Sequence, residues 1–222
     1  MKAILDLVSA TIPVREIPID PAAAVTQGQL LALSGGLAVP AAANRTTAIL
    51  GVALETHPGQ PDLLDPRADG DRIKVAAGPH TVYSLPAPVL TATDGSETTV
   101  VAAGMPTYAN DDLNGWTLIL RSKGEDSANP DAIGTAYKVT DFVASTKTLT
   151  VEGPGGTVSA GDSFWAFPNA GPLKGLLNST RDALTLTGGS AVNLPLQLVA
   201  ADLGRRELRI TPLLHEYGNK RL

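Results

Sequence analysis

A chain of 222 residues is long enough for one large domain or two smaller ones, with a core that needs no covalent staples. It has no cysteine, which excludes disulfides, thiolate catalysis and Cys-ligated metals. A formal net charge of −5 argues against the usual basic nucleic-acid surface, and no apolar run is long enough for a membrane-spanning helix. Aromatic residues make only 4% of the chain, while 22 Gly and 17 Pro favour many turns and short strands over long helices.

Met1 to Pro21 mixes apolar residues with Pro13, Pro18 and Pro21, and reads as mature sequence because Asp6 interrupts the apolar run that a signal peptide needs. Proline fixes φ and removes a donor, so the segment is an extended arm or edge strand. Such an arm either packs on its own core or lies across a neighbouring subunit. Val25 to Glu55 is the most ordered stretch: an apolar strand over Gln29–Leu33, a turn at Ser34-Gly35-Gly36, a return strand over Leu37–Val39, a polar loop, and a nearly all-apolar strand over Ala48–Leu54. His57 to Gly70 is a loop rich in Pro and Asp. Its Asp65 and Asp69, with Asp71 beyond, do not match the spacing of a calcium loop and read as a solvated acidic turn. Arg72–Ala77 alternates as a half-exposed strand, and Thr81–Leu85 is another.

After Leu90 the texture changes. Trp116–Leu120, Ala136–Phe142, Thr146–Glu152 and Ser163–Phe167 read as strands, and both Trp and all three Phe fall among them. That clustering predicts a separate small β-core inserted between Thr91 and about Asn169. From Pro172 the first texture returns, with strand patterns at Leu184–Thr187, Leu194–Ala200 and Glu207–Leu213 that would close the barrel begun at Val25. The expected fold is therefore all-β: an extended arm over 1–21, a discontinuous, small barrel-like domain over 22–90 and 170–222, and an inserted β-domain over 91–169.

Local signatures of catalysis are missing. His57, His80 and His215 are far apart with no metal-ligand spacing, no Gly-x-Ser-x-Gly elbow occurs, and Gly153–Gly156 lacks the Gly-Lys-Ser/Thr of a phosphate cradle. The expectation is a non-enzyme with no cofactor and no metal.

The run Pro13 to Glu55 resembles the start of tailed-bacteriophage capsid decoration, or head cement, proteins. The matching residues are Gly28, Gly35, Gly36, Ala38, Val39, Pro40 and Ile49 to Ala53. The resemblance covers about a fifth of the chain, and its motif is structural. It implies a virion structural protein, made in the host cytoplasm and bound to the outer surface of the head as a homotrimer. Its partner would be the major capsid protein of the same phage, with no nucleic acid or membrane involved. On that reading the arm is the clamp, with Ile4, Leu5, Leu7, Val8, Ile12, Val14, Ile17 and Ile19 as assembly contacts, and its removal should leave a folded protein that no longer binds heads. The inserted domain would face outward. Two other readings stay open: a tail- or baseplate-associated β-protein, and a carbohydrate-binding module using Trp116, Trp165 and Tyr108.

Overall fold

The computed structural model describes residues 2–6, 11–59, 71–78, 80–153 and 155–213. Among these, the chain is all-β, with no helix and eighteen strands in three sheets. The first part supplies β1 (Lys2–Asp6), β2 (Val14–Pro18), β3 (Leu30–Ser34), β4 (Leu37–Pro40), β5 (Gly51–Ala53), β6 (Arg72–Ala76) and β7 (Thr81–Pro86). The middle supplies β8 (Val89–Thr91), β9 (Asp94–Gly95), β10 (Thr99–Val101), β11 (Thr117–Ser122), β12 (Ala136–Val143), β13 (Thr148–Glu152) and β14 (Ser163–Phe167). The last part supplies β15 (Gly171–Leu177), β16 (Leu184–Thr185), β17 (Val192–Asp202) and β18 (Glu207–Pro212).

Five strands in the order β2-β6-β5-β3-β4 form an antiparallel sheet that curls until its two ends meet. Ile19 bridges Ala38 in parallel at that seam, and Asp20 N donates to Ala38 O at 3.1 Å. The result is a small barrel filled by Ile17, Ile19, Val25, Leu31, Leu50, Ile73 and Val75. Two glycine features make it possible. The β3–β4 hairpin turns through Gly35 and Gly36 at φ 58° and 84°, the doubly positive geometry of a two-residue hairpin turn. Gly51 is required for space, because a Cβ there would lie 2.1 Å from Ala76 O on the paired strand β6.

Alternate residues of the barrel wall point outward. Leu30, Ala32, Val52 and Ala76 pack against Tyr83, Leu85, Leu196, Leu198, Leu208 and Ile210 of a six-stranded sheet ordered β1-β7-β18-β17-β15-β16. The expectation that the C-terminal strands complete the barrel is corrected here. β17 and β18 pair instead with each other and with β15 and β7. The physical reason is the seam at Ile19 and Ala38: a closed barrel offers no free edge for another strand.

The remaining sheet, β8-β14-β11-β12-β13-β10-β9, is drawn entirely from Val89 to Phe167, close to the stretch whose texture differs in the sequence. Its core joins Leu118, Leu120, Tyr137, Phe142 and Phe164, with Tyr137 and Phe164 in edge-to-face contact at 5.6 Å. This unit is fastened to the rest. Ile119 and Phe167 enter the barrel-side core, and Leu186 enters the core of the inserted sheet. Lys174 Nζ on β15 meets Asp112 Oδ2 at 2.5 Å, and Thr107 bridges Ser190.

Candidate functional site

The eight arm residues do not lie on one surface. The backbone of β1 pairs with β7 from Lys2↔Ser84 to Asp6↔Thr81, which puts Ile4 and Leu5 on an edge strand of the six-stranded sheet. Leu7 and Val8 lie outside the described residues. Ile12 is partly buried against the core shared by the barrel and that sheet. Val14 is 54% exposed, whereas Ile17 and Ile19 are 7% and 0% exposed inside the barrel. Ile17 and Ile19 are therefore corrected from contact residues to core residues, since their surface is already spent within the chain. The same finding corrects the expected effect of removing the whole arm: that deletion takes away β2 and opens the seam. What remains available to a neighbour is β1, whose outer edge has no strand beside it among the described residues, and the short run around Val14.

The residues of the resemblance serve the barrel. Gly28 N donates to Ala53 O at 2.9 Å, Gly35 and Gly36 make the hairpin turn, Ala38 carries the seam, and Ile49 to Ala53 line or pair its wall. His57 is held nearby, with Nε2 2.8 Å from Asp71 Oδ2 and Nδ1 3.1 Å from Ala23 O. His80 is exposed, and His215 lies outside the described residues.

A buried polar network organises one end of the inserted sheet. Asp162 is fully buried and accepts from Gly124 N at 2.9 Å, Ser159 N at 3.1 Å and Asn129 Nδ2 at 3.2 Å. Burial alone would raise its pKa, but these bonds and one from Ser127 outweigh it and hold the carboxyl below its usual value. The Tyr137 hydroxyl donates to Asp131 Oδ2 at 2.5 Å, and burial together with that bond pushes its pKa up to about 12. The arrangement pins the loops around Gly124, Asn129 and Ser159 together, and every one of these bonds is internal.

The three aromatics considered for sugar binding separate into two roles. Tyr108 and Trp116 are 3% and 6% exposed and pack edge-to-face at 6.2 Å, so they are core. The Tyr108 hydroxyl is buried among apolar groups; desolvation, and secondarily the charge of Asp112, drives its pKa upward. Trp165 differs. It lies on the other face of β14 from Phe164 and Ala166, partly buried, beside an open cleft of about 510 Å³ floored by Ser84 to Pro86 of β7, by Ala87 just beyond it and by Glu207. Arg206 and Arg121 place their guanidinium carbons 4.7 and 6.0 Å from the indole centre. Sequence reasoning missed these arginines, because β11 and the β17–β18 turn meet Trp165 only after folding. The signal available was the alternation in Ser163–Phe167, which puts Trp165 on the face opposite Phe164 and Ala166.

No protein-family model, no curated protein and no solved structure matches the chain.

Proposed function

We propose that the chain is a non-catalytic structural protein of a tailed-phage virion, which binds the outer face of the head as a homotrimer and stabilises contacts between major capsid protein subunits. The observation that carries this reading is the coincidence of the resembling run with a structural unit. Pro13 to Glu55 supplies four of the five barrel strands, and its glycines stand where the hairpin turn and the close β5–β6 approach require them. The clamp narrows to β1. An edge strand presents unpaired N–H and C=O groups, so a capsid segment can add to it by main-chain hydrogen bonds. Repetition over a lattice then turns modest single contacts into large collective stabilisation.

Co-sedimentation with empty heads tests this, using the full chain and a chain lacking residues 1–8, which keeps β2 and the seam. The full chain should decorate heads and the shortened one, folded by circular dichroism, should not. Full-chain protein that never sediments with heads overturns the reading. A shortened protein that still binds overturns β1 as the clamp. Mass measurement of the free protein should give three copies per particle.

A further inference from the structure

We propose that the cleft beside Trp165 binds a uronic-acid residue of an anionic polysaccharide. This does not rest on the virion reading. In a chain of net charge −5, three guanidinium groups gather here: Arg206 and Arg121 against the indole, and Arg205 on the cleft wall. They are weakly committed elsewhere. Arg121 is exposed and has no carboxylate within ion-pair distance among the described residues, while Arg205 reaches Asp202 only at 3.9 Å and is 73% exposed. Arg206 donates one bond to Leu203 O, and a guanidinium carries five N–H donors.

The site is built to hold its shape. Arg206 is fixed in the β17–β18 turn at φ 59°, and its carbonyl accepts from Ala87 N at 2.9 Å. Glu207, the one carboxylate lining the cleft among the described residues, is oriented by Ser84 Oγ, which donates to it at 2.7 Å. A volume of about 510 Å³ is in the range of small-ligand sites and short of a protein-docking face.

These groups match one ligand chemistry. An indole offers its face to the C–H side of a pyranose, and a guanidinium grips a carboxylate with paired N–H donors. Glu207 then accepts hydroxyl hydrogens from the same sugar. That carboxylate also repels a plain polyanionic peptide, which has no hydroxyls to offer it.

The test is a titration followed by tryptophan fluorescence. Trp116 is buried in the core of the inserted sheet, so changes report on Trp165. Probes are tri-galacturonate, neutral maltotriose, hexaglutamate and sodium acetate. Tri-galacturonate should give a saturable change that weakens with added salt. Arg121→Gln with Arg206→Gln should reduce affinity about tenfold or more while the melting temperature holds. If the double variant melts early, Arg121→Gln alone, at an exposed position, should still weaken binding. No saturation with tri-galacturonate overturns the proposal. So does equal binding of maltotriose, acetate or hexaglutamate, or an unchanged affinity in the variants.

Discussion

Ile19 meets Ala38 in parallel across the seam of the barrel, although the sheets around them are built from antiparallel pairs. This single contact decides the fate of the N-terminal segment. It turns an open five-stranded sheet into a closed wall, removes two edges, and commits the last apolar residues of the arm to the interior.

Ile19→Ala should therefore destabilise the fold by about 2–5 kcal/mol, the usual cost of emptying a buried aliphatic site. Val14→Ala, five positions earlier on the same segment but 54% exposed, should change stability by less than about 0.5 kcal/mol. Urea denaturation of both variants measures this. Equal losses at the two positions would mean that the segment does not enter the barrel as described.

Gly51 and Gly35 are both needed, for different reasons, and substitution separates them. Alanine at Gly51 puts a methyl 2.1 Å from Ala76 O, a backbone atom that cannot swing aside, so β5 and β6 must part. A loss of about 3 kcal/mol or more is expected. Alanine at Gly35 meets nothing within 4 Å and bears only the strain of φ 58°, about 1–2 kcal/mol. Thermal melting of the two variants should rank them in that order, and the reverse ranking would contradict the packing at Gly51.

Much of this architecture was legible in the chain because the signals are local. The alternation in Arg72–Ala76 and Glu207–Leu213, the Gly35-Gly36 turn and the aromatic cluster from Trp116 to Phe167 each mark their own element. β15 was not legible. Gly171, Pro172, Lys174 and Gly175 break any apolar period, and the strand forms because Leu173 and Leu177 reach the shared core. β17 holds Pro195 inside a strand, which the ladder tolerates at the register shift between Pro172↔Gln197 and Lys174↔Asn193. Barrel closure and the arginines around Trp165 depend on strands meeting far along the chain, and no local pattern encodes such meetings.

Asp162 makes stability depend on acid. Its folded pKa lies below the unfolded value, so its contribution is present above about pH 4 and is lost as pH falls through the lower, folded value. Asp182, desolvated but bonded to Thr180 and Asn178, shifts in the same direction and adds to the same limb. Asp162→Asn turns an amide N–H₂ or a weaker acceptor toward the Gly124 and Ser159 amides, so the variant should melt earlier at pH 7. The gap to the parent should shrink as pH falls from about 4, where the unfolded chain takes up the proton, toward the lower, folded value, where Asp162 is protonated in the fold as well. A gap that stays constant across that range would show that the charge of Asp162 is not what holds the loops.

Tyr137 sets the opposite limb. Its phenol is fully buried, with its pKa pushed up to about 12 by desolvation and by the hydrogen bond to Asp131. A raised value in the folded state favours the neutral form, so this stability is complete below the unfolded value of about 10 and is lost as pH rises from there toward 12. Tyr137→Phe should cost about 1 kcal/mol near neutrality, because Asp131 and Asn129 lose a partner. Above pH 10 the variant should lose stability less steeply than the parent, with Tyr108 sustaining what remains of the slope. Phenolate absorbance followed alongside melting separates the two contributions: Tyr137 should ionise together with unfolding and not before it. Ionisation in the intact fold near pH 10 would mean that the network around Asp131 is open to solvent.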